Sequence, residues 1–245
     1  MKKIILITMA LFFVHSKSFA QVSFEQFGAL KEALHSAFEE LKPGPSHKLV
    51  INMPVGELEN YWWDLDIVHA SYGGDTIDDI HYHRIFLFGG FARLEGMTLD
   101  GLAVTACHEI AHGIGGAPFK ESGKTSEGQS DYYSTAVCLP IVFKYLSQGI
   151  EFSQDNYLTD LCKRYSETPR LCMRSLIALE SDIAFFATLG DVVDFNSSST
   201  IISTELNQSD SYYPDSQCRL DTMIHGVLQL ERPKCWFPEG IERKL

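Results

Sequence analysis

Phe24, Phe27, Leu30, Leu34, Phe38 and Leu41 recur at intervals of three and four, the spacing that gathers side chains on one face of an α-helix, and Pro43-Gly44-Pro45 stops the run. Lys48 to Met53 and Arg84 to Phe88 are short branched or aromatic runs that predict strands. From Thr98 onward the pattern is mostly helical. Thr98 or Asp100 can cap a helix reaching about Gly113, and Gly115-Gly116-Ala117-Pro118 ends it. A second helix starts near Ser126, passes Val137 and meets a kink at Pro140. Further helical patterns cover about 153–165, 169–189 and 217–230. A small sheet ahead of many helices is an α+β arrangement, and without repeats or a long linker the chain reads as one domain over 21–245.

The N-terminus changes that picture. Met1-Lys2-Lys3, an apolar run from Ile4 to Val14 and then Ser18-Phe19-Ala20 have the layout of a cleaved secretory signal, so residues 1–20 are expected to be removed. Their loss takes away three lysines and no acid, lowering the formal charge from −12 to −15. So acidic a surface disfavours nucleic acid and anionic membranes as partners. No later stretch reaches the roughly 20 apolar residues of a membrane helix, so stable membrane insertion is not expected. Export, to a periplasm or to the medium of a bacterium, puts the six cysteines at 107, 138, 162, 172, 218 and 235 where disulfides persist. Proximity pairs Cys162 with Cys172 and Cys218 with Cys235. Cys138 could reach Cys107, joining two helices, or equally Cys162 or Cys172.

Chemistry concentrates in "CHEIAHGIGG". On a helix His108 and His112 share a face, spaced to grip one ion, with Glu109 beside them to take a proton from the attacking water. Leu102, Ala103, Val104, Ala106, Ile110, Ala111 and Ile114 make this helix apolar nearly all round, hence buried, and buried ionisable groups need partners. A catalytic zinc takes three protein ligands, and an HxxGxxH continuation is excluded because Pro118 stands where the third histidine would be. Glu127 and Asp131 in "SEGQSDYYS" lie four apart on the next helix. Glu127 is the expected third ligand, with Asp131 hydrogen-bonded to the far nitrogen of a ligand histidine. The reverse assignment, with Asp131 on the metal, stays open, as does a plain helix-start role for both acids. Glu121 lies in the glycine-rich loop, with no regular element to aim it.

His108-Glu109-x-x-His112 followed by Glu127-x-x-x-Asp131 resembles the gluzincin metallopeptidases, in particular the HtpX branch, whose later helix carries a glutamate ligand and an aspartate one turn on. That branch has a downstream HPxxxxR element, matched here by Tyr213-Pro214 and Arg219 with tyrosine in place of histidine. The likeness covers about 98–140 and 213–220. It implies a zincin-like fold and an exported, soluble zinc peptidase acting on peptides or proteins, with Glu109 as general base. Members of the branch are largely membrane-embedded, and their gap from second histidine to glutamate is longer than here. By the same resemblance Tyr213 or Arg219 is the donor to the developing oxyanion, although Arg219 could instead pair with Asp131 and hold the two helices in register.

Other residues carry weaker expectations. His81 and His83 share a strand face and would suit a second metal; His225 could line the cleft; Tyr61-Trp62-Trp63 could form a substrate wall. The strand in "RIFLFGGFAR" is expected to form the sheet edge along which a peptide pairs, over Arg84 to Phe91. Two other classes compete with the enzyme: a zinc-stabilised binding or inhibitor protein, and a disulfide-built interaction protein without metal. Retention of Glu109 favours the enzyme, because a structural site has no need of a base.

Overall fold

Residues 21–146 and 156–241 are described in the computed structural model. The expected signal at 1–20 and the start of the helix expected at 153–165 lie outside the described residues. Helix α1 (Phe24–Leu41) starts with a capping box: Ser23 Oγ accepts from the Gln26 amide at 3.2 Å, and Gln26 Oε1 accepts from the Ser23 amide at 2.8 Å. It buries Phe27, Leu30, Leu34 and Phe38, whereas Phe24 is half exposed against Trp63.

Strand β1 (His47–Ile51) follows, then the short helix α2 (Tyr61–Asp64), β2 (Ala70–Ile77), β3 (Ile80–Leu87) and the single turn α3 (Gly89–Ala92). The sheet order is β1-β3-β2, with β1 parallel and β2 antiparallel to β3. β3 is therefore the central strand, and the expectation that Arg84 to Phe91 offers a free edge is overturned. Both hydrogen-bonding sides of β3 are occupied, and residues 89–91 already belong to α3. β2 has no counterpart in the hydrophobic pattern. It is half exposed, interrupted by Gly73-Gly74, and held by pairing with β3 and by the Arg84–Asp75 ion pair rather than by burial. Asp78 and Asp79, both at positive φ, make the tight turn that returns the chain.

Helix α4 (Leu99–Ile114) is the hub. Thr98 caps it by accepting from the Gly101 amide at 3.0 Å, while Asp100 takes a bidentate Arg174 at 2.8 Å. Almost every residue from Leu99 to His112 is buried, because α4 packs against β2 and β3 on one side and against several helices on the other. Gly101 allows the closest of these contacts, since a Cβ there would lie 2.2 Å from Ser181 Cβ.

The next helical stretch is not one kinked rod. It is α5 (Glu127–Tyr133), a π-helical turn (Ser134–Cys138) and α6 (Leu139–Tyr145). Pro140 has no N–H for the Ala136 carbonyl, which accepts instead from Gln229 Nε2 at 3.0 Å. After α7 (Asn156–Tyr165), the expected helix over 169–189 divides at Leu179 into α8 (Pro169–Ala178) and α9 (Glu180–Thr188), and α10 (Ser216–Val227) comes last.

Three disulfides, Cys107–Cys138, Cys162–Cys172 and Cys218–Cys235, use all six cysteines. Cys107–Cys138 ties α4 to the turn after α5 across 31 residues. Replacing both cysteines by alanine is expected to cost about 3–4 kcal/mol of unfolding free energy, the chain entropy of a loop of that length. Urea unfolding of the double variant checks it. Among the described residues no helix is long and apolar enough to cross a membrane.

Candidate metal centre

The α4 periodicity puts His108 and His112 one turn apart with ring centroids 4.7 Å from each other, and α5, crossing α4, brings Glu127 to them. His108 Nε2 lies 3.1 Å from Glu127 Oε2, and His112 Nε2 lies 3.6 Å from Glu127 Oε1. One ligand atom from each of the three residues falls within 4.8 Å of the others, so the group could hold a metal ion. No other such group of histidine, cysteine or acidic side chains occurs among the described residues.

The far nitrogens decide how the rings face. His112 Nδ1 donates to the Thr125 carbonyl at 2.9 Å, with Ser130 Oγ at 3.1 Å. His108 Nδ1 lies 2.8 Å from Asp131 Oδ1, an ion-pair contact without the alignment of a good hydrogen bond. Both Nδ1 atoms are thus engaged outward, which leaves both Nε2 atoms facing Glu127. Glu127 Oε2 is buried and makes no hydrogen bond. Two imidazoles turned toward one carboxylate, whose Oε2 lacks a donor while Oε1 takes Lys120, form a donor set suited to a divalent cation. Asp131 stands behind His108 and outside the ligand group, and it also accepts both Nε and a terminal nitrogen of Arg219 at 2.8 Å each.

The charges follow from this crowding. Burial opposes charge on His108, but Asp131 and Glu127 outweigh it and raise its pKa. His112 is pushed down to about 4 by burial and by His108. Burial would raise Glu127, yet the histidines and Arg219 hold it far below the carboxylate range; Asp131 is likewise held down, by Arg219 and then His108. Glu109 differs: burial lifts it to about 7, with His108 pulling down and Glu127 pushing up. Its carboxylate makes no hydrogen bond or ion pair among the described residues, and it lines the same cavity as the three ligand candidates.

That cavity has a volume of about 1220 Å³ and is bordered by His69 and by β2 at Ala70 to Tyr72. Tyr213 sits at its rim, 58% exposed, with burial and the neighbouring Glu127 raising the pKa of its phenol. Arg219 also borders the cavity, but two of its nitrogens are committed to Asp131. Several other expectations fall away. His83 is hydrogen-bonded to His47 at 2.9 Å and to Tyr72 at 3.0 Å, and joins no metal-binding group with His81. His225 contacts the Glu231 carbonyl and is outside the cavity lining. Trp62 and Trp63 are half-buried, pack on Phe86, Phe88, Phe24 and Phe27, and lie with Tyr61 outside the cavity lining. Glu121 offers only its backbone amide, to the Gln208 carbonyl.

Two residues of the site have no signature in the sequence. Lys120, in the loop before α5, lies 2.6 Å from Glu127 Oε1 and 3.1 Å from the Asp210 carbonyl. In "FKESGK" it reads as a solvated loop lysine. Asp182, on α9, lines the cavity although it reads as an ordinary acid in a first helical turn.

Compared with protein-family models, with curated proteins and with solved structures, the chain matches none. The resemblance to gluzincins therefore rests on the motif residues of the sequence alone.

Proposed function

We propose that this chain is an exported, zincin-like zinc peptidase in which His108, His112 and Glu127 hold the metal and Glu109 is the general base. The outward engagement of both histidine Nδ1 atoms carries this reading, because it leaves both Nε2 atoms facing the Glu127 carboxylate, that of His108 at Oε2 and that of His112 at Oε1. Bound there, zinc would polarise the scissile carbonyl and acidify the attacking water. Glu109 is buried beside the ligands yet unpaired, so it can accept the water proton and deliver it to the leaving amine. Tyr213 stands at the rim as the side chain available to donate to the oxyanion, while Arg219 acts through Asp131 to fix His108. β2 is an edge strand whose residues Ala70 to Tyr72 border the cavity, and an extended substrate peptide would add to that edge.

One observation favours a metal-free interaction protein instead: Lys120 and His108 together already compensate the charge of Glu127. Elemental analysis separates the two. Purified residues 21–245 are expected to carry about one zinc per chain, lost in His112→Ala and in Glu127→Ala. Wild type that stays zinc-free after reconstitution would sink the peptidase reading, and zinc retained by Glu127→Ala would move the third ligand to Asp131 or elsewhere.

A further inference from the structure

Among the described residues most buried acids are paired: Asp100 with Arg174, Asp131 with Arg219, Glu127 with Lys120, and Asp221 with the Ser199 amide and Gln217. Glu109 is an exception with a proposed use. Asp182 is the other. It is 9% exposed, its Oδ2 has no hydrogen-bond partner, it makes no ion pair among the described residues, and it lines the cavity that contains the metal centre. Its nearest cationic influence, Arg219, is already spent on Asp131.

We propose that Asp182 is a specificity-determining subsite that receives the guanidinium or ammonium of a basic side chain of the substrate. The inference rests on the peptidase reading for its substrate class. Removing a carboxylate from water without a partner is costly, and a cation delivered by a ligand supplies the missing partner. The surroundings match a long basic side chain rather than a bare amine. Val104 on α4 and Phe185 and Phe186 on α9 border the same cavity, giving apolar and aromatic walls for a methylene stem and a cation. α9, which carries Asp182, packs on α4, and Val104 and Thr105 lie one turn before His108 and Glu109 on α4, so one cavity wall joins the subsite to the reaction centre. Burial pushes the Asp182 carboxyl up to about 7, against the pull of Arg219, as befits a group lacking a counterion.

Agmatine, which is arginine without its carboxylate and so offers a guanidinium on a methylene stem together with an amine, tests the site without any turnover, the amine alone being controlled by glycinamide. Calorimetry on residues 21–245 is expected to show agmatine binding weakened at least tenfold by Asp182→Asn, with glycinamide, a short amine, binding far more weakly than agmatine to wild type. Glycinamide binding as well as agmatine would replace the basic side chain by a free amino terminus and overturn the assignment. So would wild type that ignores agmatine, or Asp182→Asn that binds it unchanged. Asp182→Asn preserves shape and removes an unpaired charge, and an unaltered Tm confirms that the variant is folded. In the zinc-loaded enzyme, the preference for an arginine over a citrulline peptide, as a ratio of kcat/KM, should fall about 100-fold in the variant. Agmatine binding that depends on Asp182 in a protein cleaving no peptide would keep the subsite and discard the peptidase.

Discussion

Glu109→Gln is expected to lower kcat/KM for peptide hydrolysis by roughly 10²–10⁴-fold, the usual contribution of a positioned general base, while leaving the metal content unchanged. Glutamine keeps the shape and the burial of the side chain but cannot accept a proton. Glu109 has no hydrogen bond or ion pair among the described residues, so the substitution breaks no contact that holds α4. It also removes a buried carboxylate whose charge is disfavoured there, which argues for stability equal to wild type or slightly greater. His112→Ala is expected to differ in kind, losing metal and activity together. The pair of variants therefore separates holding the ion from doing the chemistry. Peptide hydrolysis by zinc-loaded Glu109→Gln within tenfold of wild type would remove Glu109 as the base.

How far the site could be read from the sequence depended on where its information lies. α4 was readable because its signal is local: two histidines at helical spacing in an apolar segment, a threonine cap, and a glycine stop. The Cys162–Cys172 and Cys218–Cys235 bridges were accessible to proximity for the same reason. β2 was not, since a strand with Gly73-Gly74 and little burial is stabilised by its partner rather than by its own pattern, and missing it made β3 look like an edge. The division at Leu179 and the π-helical turn before Pro140 are likewise set by packing of neighbouring elements. Lys120 and Asp182 were invisible because an ion that faces a cavity and one that faces solvent look alike in sequence. Only the folding of the 115–126 loop and of α9 against α4 distinguishes them.

The largest structural effect is expected at Asp131. It is fully buried, takes two hydrogen bonds from Arg219 and stands 2.8 Å from His108 Nδ1, so one carboxylate joins α10 to α5 and braces a ligand ring on α4. Asp131→Ala leaves the Arg219 guanidinium without its partner in the interior, and a broken buried pair costs about 3–5 kcal/mol. It also frees the His108 ring, for which a 10–100-fold loss of metal affinity is the usual consequence. The two effects have separate origins and can be separated. Asp131→Ala with Arg219→Met removes the stranded charge, so urea unfolding should recover much of the lost stability. Zinc affinity should stay low, because nothing restores a partner to His108 Nδ1. Recovery of both together would mean that the lost affinity followed only from loosening of the fold, and that Asp131 does not act on the ring.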